Sequence, residues 1–137
     1  MSPLRSSCAH AMPTPKPIRR RALTTTRRET VAYALTGCLA IVIAIGAFSP
    51  PPEVPGPPNN DKLLHAIAFA ALILPTAALI PRHLGWMVAL AVGYGIAIEL
   101  IQPLVDRSRE FLDLVADCGG LAVGVVIGLL LHKLIRR

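Results

Sequence analysis

Residues 111–135 read "FLDLVADCGGLAVGVVIGLLLHKLI". Twenty-five residues in a row carry two acids near the start, a histidine and a lysine near the finish, and almost nothing polar between. A helix needs about 20 residues to cross about 30 Å of hydrocarbon. A strand of a membrane barrel would alternate apolar and polar residues, and this run does not. Asp113, Asp117, Gly120, Gly124 and Gly128 recur at helical spacing and share one face. Glycine every four residues permits close helix–helix contact. The face that carries the two acids is therefore predicted to turn inward, toward other helices.

Three further runs resemble it. Val31 to Phe48 is uncharged, Leu63 to Ile80 carries His65, and Leu84 to Val105 carries Glu99 and Gln102 near its end. The connectors are "SPPPEVPGPPNN", which cannot be helical throughout, the tight turn "PRH", and "DRSRE". Pro75 inside the second run is expected to kink it. Composition agrees. Apolar residues make up 53% of the 137-residue chain and charged residues 16%, with mean hydropathy +0.57. Soluble domains carry about 25% charge. The expected fold is all-α, an integral membrane bundle of four transmembrane helices over residues 29–137. A basic tail over residues 1–28, rich in Pro, Ser, Thr and Arg, is expected to be disordered.

The net charge of +6 does not mark a nucleic-acid-binding protein. The tail has no aromatic residue for base stacking and no module signature. Its seven basic residues instead fix topology. With the N-terminus inside, eleven Lys and Arg lie on the inner side, and only Lys62, Arg107 and Arg109 on the outer side. Both termini are expected in the cytoplasm. "LTGC" at residues 35–38 resembles a lipoprotein cleavage box and Arg27–Arg28 a twin-arginine signal. Apolar residues continue for ten positions after Cys38, so an uncleaved first span is expected. The odd cysteine count, Cys8, Cys38 and Cys118, fits neither a disulfide framework nor a zinc site.

This topology brings three polar insertions to one depth, the outer leaflet. Asp61, Lys62 and His65 open the second span, with Asp61 and His65 on one face. Glu99 and Gln102 close the third on one face, with Gly95 a turn below. Arg107, Arg109, Asp113 and Asp117 surround the start of the fourth. An acid facing lipid costs about 2.5–3.5 kcal/mol even on the lenient insertion scale, so these groups are expected to face one another. Polar pairs in membranes contribute only about 0.6 kcal/mol on average, too little to explain so many ionisable groups as glue. The ligand-binding candidates are Asp61, Lys62, His65, Glu99, Gln102, Arg107, Asp113 and Asp117. His83 and His132 fall at the inner ends, and Trp86 and Tyr94 read as packing or interfacial anchors.

"DKLLH" at residues 61–65, "ELIQ" at 99–102 and "RSREFLD" at 107–113 resemble, in order and spacing, the VanZ-like membrane protein family. In that family an Asp-Lys-x-x-His element starts one helix, Glu-x-x-Gln ends the next, and Arg followed by Asp opens a third. Asp117, Gly120 and Gly124 match the acid or amide and glycines that follow. The resemblance covers about residues 59–130. "VDRS" stands where many relatives have Pro-Gly-Arg-Ser. The resemblance implies a multi-pass protein of the bacterial inner membrane with a role in the cell envelope. The founding member is linked to reduced teicoplanin susceptibility, and the resemblance supplies no biochemical activity.

Two functions follow from these residues. The first is binding of a lipid-linked or amphipathic envelope ligand, with Arg107 on a phosphate or carboxylate. The alternative is an enzyme acting on a lipid-linked substrate, with His65, Glu99 and Asp113 as catalytic candidates and His65 paired to Asp61 or Glu99 as general base. The same groups could hold a divalent metal through oxygen and imidazole. No cofactor or metal is assigned, and the expected partners are the bilayer and a lipid-linked or amphipathic ligand. A transporter is disfavoured because the inner half shows no matching polar path.

Overall fold

The computed structural model describes residues 18–49, 60–105 and 110–137, with side chains from Thr26 onward. These residues are helical throughout apart from turns and ends, with no strand among them. Four helices follow in order: α1 (Ile18–Phe48), α2 (Asn60–Leu79), α3 (Leu84–Ile101) and α4 (Phe111–Ile135). Short 3-10 turns cover Pro81–His83 and Gln102–Val105. All four helices are long and apolar enough to cross a membrane. The expected four-helix membrane bundle is thus the observed one.

The helix ends follow from local chemistry. Ile80 leaves helical geometry at φ −138°, ψ 57°, and Pro81 opens the next turn, where its missing N–H costs nothing. Pro103 cannot donate to the Glu99 carbonyl four residues back, and α3 gives way to 3-10 geometry at Gln102. Glu110 is extended at φ −124°, ψ 115°, immediately before α4. Two starts differ from expectation. Helix α2 begins at Asn60, not Leu63, so Asp61 lies in its first turn, where a negative charge is favoured by the helix dipole. Helix α1 begins at Ile18, ahead of the apolar run that opens at Val31. Residues 1–17 lie outside the described residues.

Helix α2 is central and packs against α1, α3 and α4. Its tightest partner is α4. A Cβ on Gly120 would stand 2.8 Å from Ala66 Cα, and one on Gly124 would stand 2.8 Å from Ala70 Cα. A Cβ on Gly128 would meet Ala77 and Ala78. Small residues at four-residue spacing on both helices therefore let the two backbones nearly touch. Phe69, Leu72, Ile73, Met87, Ala91, Ile98 and Leu121 fill the apolar core. Only 11% of the α1 span is buried, which makes it peripheral. It is tied on by Tyr94, whose hydroxyl donates to the Ala40 carbonyl at 2.6 Å, and by Thr36, which donates to the Leu72 carbonyl at 3.4 Å.

The exterior is apolar from end to end. Ile41, Val42 and Ile45 on α1, Leu90 on α3, and Val126, Leu130 and Leu134 on α4 are exposed. A soluble monomer rarely shows apolar patches beyond a few hundred Å². A lipid-facing surface requires them.

Candidate functional site

The starts of α2 and α4 and the end of α3 meet at one end of the bundle. Polar groups concentrate there because each helix brings one turn of them. Glu99, Gln102, Asp113 and Asp117 are all at least 96% buried. They lie inside because the glycine face of α4 packs on α2, which fixes Asp113 and Asp117 toward the interior. Gly95 on α3 admits the second of these acids, since a Cβ there would stand 2.8 Å from Asp117 Oδ2.

His65 Nδ1 lies 2.9 Å from Asp117 Oδ1, and the imidazole is mostly shielded. Helical spacing alone predicts Asp61 or Glu99 as its partner. The observed partner is Asp117, because the register of α4 against α2 sets which acid the ring meets. Asp61 still belongs to the group. Donor atoms of Asp61, His65 and Asp113 lie within 4.8 Å of one another. Lys62 Nζ donates to Glu110 Oε2 at 2.7 Å and stands 3.8 Å from Asp113 Oδ1. The Glu110 backbone N–H donates to Glu99 Oε2 at 3.1 Å, so the α3 acid holds the entrance to α4.

Glu99 Oε1, Gln102 Oε1, Asp113 Oδ1 and Asp117 Oδ2 are buried with no hydrogen-bond partner among the described residues. A buried acceptor left unpaired costs about 1–3 kcal/mol. Four at one end are too many for a network that serves only to hold helices together. Beside them a cavity of about 340 Å³ opens between α3 and α4, lined by Ile96, Glu99, Phe111 and Leu114. Three apolar walls thus surround one carboxylate.

The predicted residues Asp61, Lys62, His65, Glu99, Gln102, Asp113 and Asp117 are all at this end. Arg107 and Arg109 lie outside the described residues. The sequence reading missed Glu110, which links Lys62 to Glu99. Its signal was its place, three residues before Asp113 at the mouth of a helix. It also missed Ile96, Phe111 and Leu114, which look like ordinary lipid-facing residues until α3 and α4 are placed together.

The opposite end differs in kind. Arg82 pairs with Glu29, Tyr33 hydrogen-bonds His83, and His132 Nδ1 donates to the Ala78 carbonyl at 2.7 Å. Trp86 packs against Tyr33 and His83 with ring centroids 6.0 and 6.2 Å apart, an anchoring role as expected. Cavities of about 210 and 390 Å³ there are lined by Arg27, Arg28, Arg82, His132 and Arg136, among others, and share no residue with the acidic cluster. Comparison with protein-family models, curated proteins and solved structures finds no match to this chain.

Proposed function

We propose that this chain is a VanZ-like protein of the bacterial inner membrane that binds an amphipathic or lipid-linked envelope ligand in the groove between α3 and α4. The observation that carries the reading is the groove itself. Ile96, Phe111 and Leu114 offer apolar walls, and Glu99 offers a buried carboxylate oxygen with no partner among the described residues. An apolar chain would lie along the walls, and a hydroxyl, amide or ammonium would donate to Glu99. At about 340 Å³ the groove is near the small end of ligand pockets, so it suits a headgroup and the first part of a chain.

The basic-residue bias supports a cytoplasmic N-terminus, which puts this end of the bundle in the outer leaflet. Three motifs in order and spacing support the family reading, and with it a role in the cell envelope or in glycopeptide susceptibility.

The His65–Asp117 pair favours a second reading, an enzyme acting on the same ligand, because a carboxylate on one ring nitrogen leaves the other free as a base. Native mass spectrometry of the full chain in mild detergent tests both. A co-purifying amphiphile is expected in the wild type. It should be lost in Leu114→Trp, which fills the groove, and kept in Leu131→Trp near the far end of α4. An amphiphile absent from the wild type, or kept equally by Leu114→Trp, would refute the groove. A chemically altered amphiphile that reverts to the unaltered form in His65→Ala would establish the enzyme.

A further inference from the structure

We propose that Asp61, His65 and Asp113 together bind one divalent cation of the Zn²⁺ or Mn²⁺ type. Asp61 and His65 are one turn apart on α2, and Asp113 faces them from the first turn of α4. One donor atom from each lies within 4.8 Å of the others. Around a tetrahedral cation with bonds near 2.1 Å, ligand atoms lie about 3.4 Å apart, so closure of up to about 1.4 Å completes the set. Two carboxylates and an imidazole, with no sulfur in the group, suit zinc or manganese.

An observation independent of the clustering points the same way. Asp113 is 98% buried, and its Oδ1 has no hydrogen-bond partner among the described residues. The nearest ammonium, Lys62, stands 3.8 Å away and is already committed to Glu110 at 2.7 Å. A buried carboxylate oxygen of this kind is costly unless a cation meets it. His65 also has the carboxylate partner that metal-bound histidines commonly have. With Nδ1–H donating to Asp117 Oδ1, the lone pair on Nε2 is left to coordinate, and Asp117 acts as the carboxylate that fixes the ring. Asp61 is exposed and gives the ion an access route.

Among the described residues, the acids Asp61, Glu99, Glu110, Asp113 and Asp117 gather at this end. Among the described residues Lys62 opposes a bound cation, and its shorter contact is to Glu110, at 2.7 Å against 3.8 Å to Asp113.

The test uses the full chain in mild detergent, stripped with a chelator and titrated separately with Zn²⁺ and Mn²⁺ by calorimetry, with stoichiometry from elemental analysis. One saturable equivalent per chain is expected. Asp61→Asn and Asp113→Asn should each weaken it about 100-fold or more, and Asp117→Asn by about 10–100-fold through the freed ring. Lys62→Gln should tighten it. The Asp61 side chain is exposed, so Asp61→Asn remains informative if Asp113→Asn misfolds. Leu114→Trp should keep the metal while losing the amphiphile, which separates this site from the groove. No saturable equivalent in the wild type overturns the proposal. So does an equivalent that survives both Asp61→Asn and Asp113→Asn, or one that Lys62→Gln weakens.

Discussion

Adding one methyl group at Gly124 should weaken the bundle, while the same methyl at Gly119 should not. A Cβ on Gly124 would stand 2.8 Å from Ala70 Cα and 2.7 Å from Ile73 Cγ2, and closer still to the Ala70 carbonyl oxygen. Two of these neighbours are backbone atoms, so α2 and α4 must separate to make room. Gly119 faces open space, with nothing within 4 Å of its built Cβ. Both changes gain the same helix propensity, about 1 kcal/mol, so that contribution cancels between them. The difference is the overpacking cost alone, typically about 1–3 kcal/mol. At about 4 °C or more per kcal/mol for a chain of this size, Gly124→Ala should melt about 4–12 °C below Gly119→Ala. The assay is thermal unfolding of the two purified variants in one detergent. Gly124→Leu should extend the effect and Ala122→Leu should not. Equal melting temperatures for Gly124→Ala and Gly119→Ala would refute the packing of α4 on α2, and with it the inward placement of Asp113 and Asp117.

Three further outcomes are expected. Gly95→Ala should push the Asp117 carboxylate off His65, since the new Cβ would stand 2.8 Å from Oδ2, and lower stability by about 1–3 kcal/mol; Gly93→Ala, in open space, should not, and equal losses would count against this geometry. His65→Ala and Asp117→Asn should be coupled by about 1–3 kcal/mol in a double-mutant cycle read by thermal unfolding, and simple additivity would mean the 2.9 Å contact contributes nothing. Single cysteines at Glu53 or Arg109, in a background without the native cysteines, should react with an impermeant thiol reagent on intact cells, and one at Arg82 should not; the reverse pattern would place the acidic end inside.

The spans were legible because apolar runs of membrane length need no tertiary information. The glycine stripe was legible for a similar reason, since spacing on one helix fixes which residues share a face. Spacing does not fix how that helix is rotated or slid against another. The partner of His65 was misread for this reason. Asp117 reaches the ring only because Gly120 sits on Ala66 and Gly124 on Ala70, a register that neither helix states alone. Glu110 and the groove residues were hidden in the same way, because their roles exist only once α3 meets α4. The early start of α1 has a different cause. Residues 18–28 lack apolar periodicity, yet arginine, alanine and leucine are good helix formers, and an existing helix extends through them without a new nucleus.

The central claim is that Glu99 receives a ligand and does not merely hold helices together. Glu99→Gln tests it most directly. The amide keeps the shape, and its oxygen can still accept the Glu110 N–H now held at 3.1 Å. Its NH₂ then takes the place of the partnerless Oε1, so a ligand donor would meet another donor. Membrane abundance, melting temperature and the co-purified amphiphile should be measured together on the one variant. The account predicts abundance and melting temperature near those of the wild type and loss of the amphiphile. An amphiphile retained at the wild-type level, or lost only in proportion to a fall in abundance, would contradict it.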